Sequence, residues 1–70
     1  MRSRRYEFFQ DENQILTLVF DDLSNQWLVE VGGPRLTPTR FPLEAFEKSD
    51  DGDVHARPLM DAIGRATRDD

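Results

Sequence analysis

One histidine and one acidic stretch supply most of the residues in this chain that are suited to acid–base chemistry. His55 is the sole histidine, and there is no cysteine. A catalytic histidine needs a carboxylate that orients it and a nucleophile within reach. Asp51 or Asp53 could orient His55, but the sequence ties no nucleophile to it and has no glycine-rich loop for an oxyanion. We therefore predict a surface histidine that follows a loop, in a protein that is not an enzyme.

Residues 49–53, Ser-Asp-Asp-Gly-Asp, are similar to part of a calcium-binding loop. An EF-hand loop has glycine at its sixth position and a bidentate glutamate at its twelfth. If Gly52 takes the sixth position, Pro58 falls on the twelfth, so the required glutamate is missing. The sequence predicts no metal or other cofactor, and a solvated loop between two helices. The acidic residues of this region form a candidate patch for a basic partner: Glu44, Glu47, Asp50, Asp51 and Asp53.

Arginine is the other abundant functional group, since it accounts for eight of the nine basic residues. Arginine pairs well with phosphate, and aromatic rings stack on nucleic-acid bases. Tyr6, Phe8 and Trp27 could supply such rings, although a domain with seven aromatic residues needs most of them for its core. The net charge of −5 also opposes binding to a phosphate chain. The candidate nucleic-acid contacts are Arg2, Arg4, Arg5, Tyr6, Arg35 and Arg40.

Three strand patterns in the first half of the chain predict the sheet that would position these residues. Aromatic residues mark a strand over residues 6–9, and residues 14–20 give the strongest strand signal. The apolar residues of the third strand, residues 26–31, fall on alternate positions and should face the core. Short polar turns join the three strands, which favours an antiparallel meander.

A turn and a short fourth strand follow. The pair Gly32-Gly33 suits a tight hairpin turn. Residues 35–37 could form a strand, and Pro38 and Pro42 should limit anything longer, because proline cannot donate a hydrogen bond to a central ladder.

Two helical patterns complete the chain, at residues 41–48 and at about residues 58–67. Pro42 suits the first helical position, where its missing N–H group costs nothing. The predicted fold is α+β, an antiparallel three- to four-stranded meander sheet followed by one short helix and a C-terminal helix. The predicted divisions are a flexible basic arm at residues 1–5, a single domain at residues 6–68 and an acidic tail end at residues 69–70.

The strand at residues 14–20 is apolar on both of its faces. Ile15, Thr17 and Val19 should point one way, and Leu16, Leu18 and Phe20 the other. A strand of this kind is central and covered on both sides. The chain has little material to cover both sides, so we predict that a helix covers one and a second subunit the other.

The function predicted from these features is a small non-enzymatic interaction or regulatory module that binds a protein partner, as a homodimer. The alternative is a single-stranded nucleic-acid-binding module that uses the basic arm and the sheet aromatics. A similar order of elements occurs in single-stranded DNA-binding modules built from a curved sheet and one helix, but order alone does not identify a function. No apolar run approaches the roughly 20 residues that span a membrane. We therefore predict no membrane partner and a cytoplasmic location.

Overall fold

The computed structural model describes residues 4–69, the side chain of Asp69 excepted. Four strands precede three helices, and none of the described helices is long and apolar enough to cross a membrane. The elements are β1 (Arg5–Gln10), β2 (Ile15–Asp21), β3 (Gln26–Gly33), β4 (Leu36–Pro42), α1 (Leu43–Glu47), α2 (Asp50–Val54) and α3 (Ala56–Asp69). The predicted α+β fold with a meander sheet is confirmed.

The ends of the described chain belong to regular elements. Arg5, assigned from the sequence to the basic arm, is the first residue of β1. Asp69, assigned to the acidic tail, is the last residue of α3. The rest of the predicted tail, Asp70, and residues 1–3 of the predicted arm lie outside the described residues.

The four strands form one sheet in the order β1-β2-β3-β4, and each neighbouring pair is antiparallel. Polar side chains fix the first two turns. The Asp11 carboxylate accepts two backbone N–H groups of its own turn, both at 2.8 Å. Asp21 accepts the N–H of Leu23 at 3.2 Å and the hydroxyl of Ser24 at 2.6 Å. Asn25 then takes the left-handed conformation, with φ of 57°, that asparagine tolerates better than most residues.

The fourth strand is longer than predicted. β4 continues through Pro38, so the expectation that this proline would limit the strand was wrong, whereas the strand does end at Pro42. β4 lies at the edge of the sheet and pairs only with β3. Proline is tolerated in such a strand because one of its two edges needs no ladder donor. All seven residues of β4 are exposed.

The helices cover one face of the sheet. α3 packs on β1 and β2, while α1 packs on β3 and β4. Leu16, Leu18 and Val29 are at most 1% exposed and form the sheet side of the core. The helix side of the core consists of Phe46, Leu59, Ala62 and Ala66. The predicted helical cover over one face of residues 14–20 is therefore present.

The acidic segment predicted as a solvated loop is a helix, α2. Ser49 makes this possible, because its hydroxyl donates to the Phe46 carbonyl at 2.6 Å and accepts the Gly52 N–H at 3.0 Å. One side chain therefore closes the end of α1 and caps the start of α2. Gly52 is buried where α2 passes α1, and a Cβ atom built there would overlap the Phe46 carbonyl oxygen.

We expect Gly52→Ala to lower the free energy of unfolding by about 2 kcal/mol, because the added methyl group would force α1 and α2 apart. The matched control is Gly64→Ala in α3, where a Cβ atom would meet nothing within 4 Å. That control should raise the free energy of unfolding by about 0.5–1 kcal/mol. Urea denaturation of the two variants measures both effects. Equal effects would contradict the close approach of α1 and α2.

Candidate interaction surfaces

The face of the sheet opposite the helices carries regular rows of side chains, because directly paired residues project to the same side. One row runs across the sheet through Arg5, Val19, Leu28 and Pro42, and the next through Glu7, Thr17, Glu30 and Arg40. At the centre of these rows Thr17, Val19 and Leu28 are only 6%, 5% and 8% exposed. None of the described helices lies on this side, so neighbouring side chains of the sheet bury them.

Two ion pairs lie on the same face of the sheet. Arg5 Nη2 lies 2.8 Å from Glu30 Oε2, and Arg40 Nε lies 3.1 Å from Glu30 Oε1. Arg5 stands on β1 and Glu30 on β3, so the arginine side chain crosses β2 between Val19 and Thr17. Arginine can lay its aliphatic stem on an apolar surface in this way and keep its charge in water. We call Arg5, Glu30 and Arg40 the ionic strap.

The ionic strap changes the acidity of Glu30. The hydrogen bond from Arg5, and then that from Arg40, holds the pKa of the Glu30 carboxyl below its usual range, against the opposing effect of partial burial. The Glu30 side chain is 17% exposed, while both arginines are nearly half exposed. The strap therefore stabilises the folded sheet while Glu30 is ionised.

The structure does not bring the predicted nucleic-acid contacts together. Arg5 and Arg40 bind Glu30 on the face away from the helices. Arg4 lies over the ring of Phe20, with its guanidinium carbon 4.8 Å from the ring centroid. Arg35 lies in the β3–β4 turn, at the other end of the sheet. Of the remaining two, Tyr6 packs against the core and Arg2 lies outside the described residues.

The aromatic side chains named as possible stacking platforms lie on the helix side of the sheet. The rings of Tyr6 and Trp27 are 6.2 Å apart, and Phe8 meets the buried ring of Phe46 edge-on at the same separation. All three are partly buried against the core. Their rings are thus largely committed to packing.

His55 is not a surface histidine, so that prediction was wrong. It is 9% exposed, and its ring stacks on Phe9 with 4.2 Å between centroids. The reason is the formation of α2, which carries His55 inwards as its C-terminal cap. Among the described residues, no three or more His, Cys, Asp or Glu side chains are arranged to hold a metal ion.

A shallow apolar groove lies where the helices leave β3 and β4 uncovered. It has a volume of about 120 Å³. Phe41 on β4 forms one wall and is 41% exposed. We call this the edge groove, and its lining residues are Val31, Phe41, Ala45, Phe46, Ser49 and Asp51.

The predicted acidic patch lies on α1 and α2, and one of its members, Asp51, lines the edge groove. Its five members are exposed, and each is a groove-lining residue or within two residues of one: Glu44, Glu47, Asp50, Asp51 and Asp53. Glu44 pairs with Lys48 at 3.3 Å across one helical turn. Within the described part of the chain, the other four carboxylates form no ion pair. The patch therefore leaves uncompensated negative charge at the margin of an apolar groove.

Two important residues were not among the predicted site residues. Glu30 was taken only as part of an alternating strand, and its role emerges from the register that sets Arg40 directly opposite it. Phe41 was assigned to a helix, whereas it belongs to β4. The alternation of Thr37, Thr39 and Phe41 through the prolines is the signal that could have revealed the strand.

No protein-family model, no curated protein and no solved structure matches this chain. Function must therefore be argued from the surfaces themselves.

We expect Glu30→Gln to lower the free energy of unfolding at pH 7 by about 1 kcal/mol, because both ion pairs are lost. The folded pKa of Glu30 is lowered, so the contribution of its charge is present above the unfolded pKa of about 4.3 and is lost as pH falls through the folded value. The difference between wild type and variant should therefore disappear in acid. Urea denaturation across the pH range measures it.

Glu7→Gln is the matched control for this experiment. Glu7 lies in the same row as Glu30 but forms no ion pair within residues 4–69. Its replacement should leave the free energy of unfolding nearly unchanged at every pH. A Glu30→Gln variant as stable as this control at pH 7 would show that the strap contributes nothing.

Proposed function

We propose that this domain is a non-enzymatic interaction module that binds a protein partner at the edge groove. The observation that carries the proposal is Phe41, an aromatic side chain left 41% exposed beside the uncovered end of the core. Aromatic residues are enriched where protein interfaces concentrate their binding energy. The groove connects directly to the core through Phe46, which is 4% exposed and belongs to the core cluster.

The size of the groove supports a partner side chain and not a small-molecule substrate. Sites for cofactors and drug-sized ligands usually measure roughly 300–1,000 Å³. The edge groove has about 120 Å³, which suits a single inserted side chain. The sole histidine is packed against Phe9 and does not line the groove. These features favour binding over catalysis.

Self-association remains a prediction from the sequence. The structure leaves fewer surfaces as candidates for a contact between two copies. The dimer was predicted because the second face of residues 14–20 is apolar. Thr17 and Val19 on that face are already buried within the single chain. The C-terminal helix, α3, remains a candidate contact surface, because its residue Met60 is 70% exposed. We therefore propose α3 as the contact between two copies.

If α3 is the contact, sedimentation of the wild type at high micromolar concentration should show a dimer, and Met60→Lys should dissociate it. Leu23→Lys is the matched control, since Leu23 is 99% exposed in the distant β2–β3 turn and should not alter the mass. A monomeric wild type would contradict the homodimer.

The single-stranded nucleic-acid alternative and the cytoplasmic location also stay predictions. The alternative has less support than a protein partner, because Arg5 and Arg40 are already paired with Glu30. Arg4 and Arg65 lie against aromatic rings at the opposite face of the sheet. The six proposed contacts therefore do not form one basic surface among the described residues.

The partner surface is tested by capture from native lysate with three baits: the wild type, Phe41→Asp and Leu23→Asp. Both variants place a carboxylate on an exposed apolar residue, but only Phe41 lines the edge groove. Proteins retained by the wild type and by Leu23→Asp, and lost with Phe41→Asp, are the expected result. If the two variants retain the same proteins, the edge groove is not the binding surface.

A further inference from the structure

We infer that the occupant of the edge groove is a basic peptide segment of a partner protein, anchored by one apolar side chain and bound without joining the sheet. This inference rests on the proposed function and names the chemistry of its partner. Three features carry it: the size and apolar lining of the groove, the charge near it and the prolines of the strand beside it.

The anchor follows from the shape of the groove. Val31, Ala45 and Phe46 give it an apolar lining, with Phe41 standing at its margin. A volume of about 120 Å³ accepts one aliphatic or aromatic side chain but not a cluster of them. Burial of one such side chain removes apolar surface on both molecules, including part of the exposed ring of Phe41. The segment therefore needs a single apolar residue at its centre.

The basic character follows from the acidic patch. Asp51 lines the groove itself, and Glu47, Asp50 and Asp53 lie within two residues of a lining position. None of these four has an ion-pair partner among the described residues. α2, which carries Asp50, Asp51 and Asp53, has five residues and so is only about 7.5 Å long. This is less than the screening length of about 10 Å in 0.1 M salt, so the carboxylates act together on a segment in the groove.

The mode of binding follows from β4. A peptide that extended the sheet would need N–H donors along the free edge of β4. Pro38 and Pro42 have no N–H group. Pro38, Arg40 and Pro42 are alternate residues of the strand, so their backbone nitrogens point to the same edge. Prolines in an edge strand leave the free edge short of donors, since the inner edge must supply the ladder with β3. Recognition must therefore use side chains in the groove.

Fluorescence anisotropy with labelled synthetic peptides tests the inference. The first probe has a central leucine flanked by lysine and arginine. In the second probe serine replaces the basic flanks, and in the third glutamate and aspartate replace them. The fourth probe keeps the basic flanks but has glycine in place of the central leucine. We expect the first probe to bind most tightly at low salt and to weaken as salt is added. Equal binding of basic and acidic probes, or no effect of the central leucine, would overturn the inference.

Charge-neutralising variants separate the acidic patch from the net charge of the protein. Glu47→Gln, Asp50→Asn and Asp51→Asn combined should weaken the basic probe roughly tenfold at low salt. The control combines Glu7→Gln, Glu12→Gln and Asp22→Asn, which changes the net charge equally at exposed positions outside the patch. The control should bind within about twofold of the wild type, because screening limits the reach of distant charges. Equal losses in both variants would overturn the assignment to the patch.

Phe41→Ala and a single-stranded oligonucleotide complete the experiment. Phe41→Ala keeps the charge and should weaken the basic leucine probe severalfold, with the unfolding midpoint recorded to show that the variant folds. A labelled oligonucleotide that binds more tightly than any peptide would favour the nucleic-acid alternative and overturn the inference. The wild type could fail to bind the basic probe while capture of a protein from lysate still depends on Phe41. That result would refute the basic partner and leave the proposed function standing.

Discussion

The carboxylate of Glu30, held between Arg5 and Arg40, links β1, β3 and β4 on the face of the sheet that the described helices leave uncovered. A four-stranded sheet has two faces, and the helices of this chain cover one of them. Without a cover, Val19 and Leu28 would be exposed on the other face. The ionic strap spans from β1 to β4 on that face, where Val19 and Leu28 are 5% and 8% exposed. The chain thus stabilises a sheet that would otherwise expose an apolar surface.

The remaining surfaces follow from where the helix layer ends. α3 is long enough to cover β1 and β2, but α1 and α2 have five residues each and leave part of β3 and β4 uncovered. The edge groove is therefore a boundary of the helix layer, with α1 and α2 on one side and a strand edge on the other. The same short helices concentrate the acidic residues. Apolar surface and negative charge consequently meet at this opening on the helix side of the sheet.

The sequence was sufficient for the fold class, the meander and the apolar face of β3, because these depend on local alternation and turn chemistry. It failed at β4, where Pro38 was taken to limit the strand and only the edge position makes it compatible. It also failed at α2. The three aspartates and one glycine of residues 50–53 indicate a loop unless the cap by Ser49 and the fit of Gly52 against α1 are known. The acidic patch was found from composition, whereas Phe41 and Glu30 acquire their roles only through strand register and packing between distant parts of the chain.

The packing of α3 on β1 has a consequence for synthesis on the ribosome. Every strand pairs with its neighbour in sequence, so the sheet can assemble as the chain emerges. The apolar face around Leu16 and Leu18, however, is closed chiefly by residues of α3, which follows all four strands along the chain. Until α3 is made, the nascent sheet presents that face to the cell, and a chain shortened within α3 would keep it exposed. We expect such shortened chains to aggregate or to be degraded, although every strand is complete.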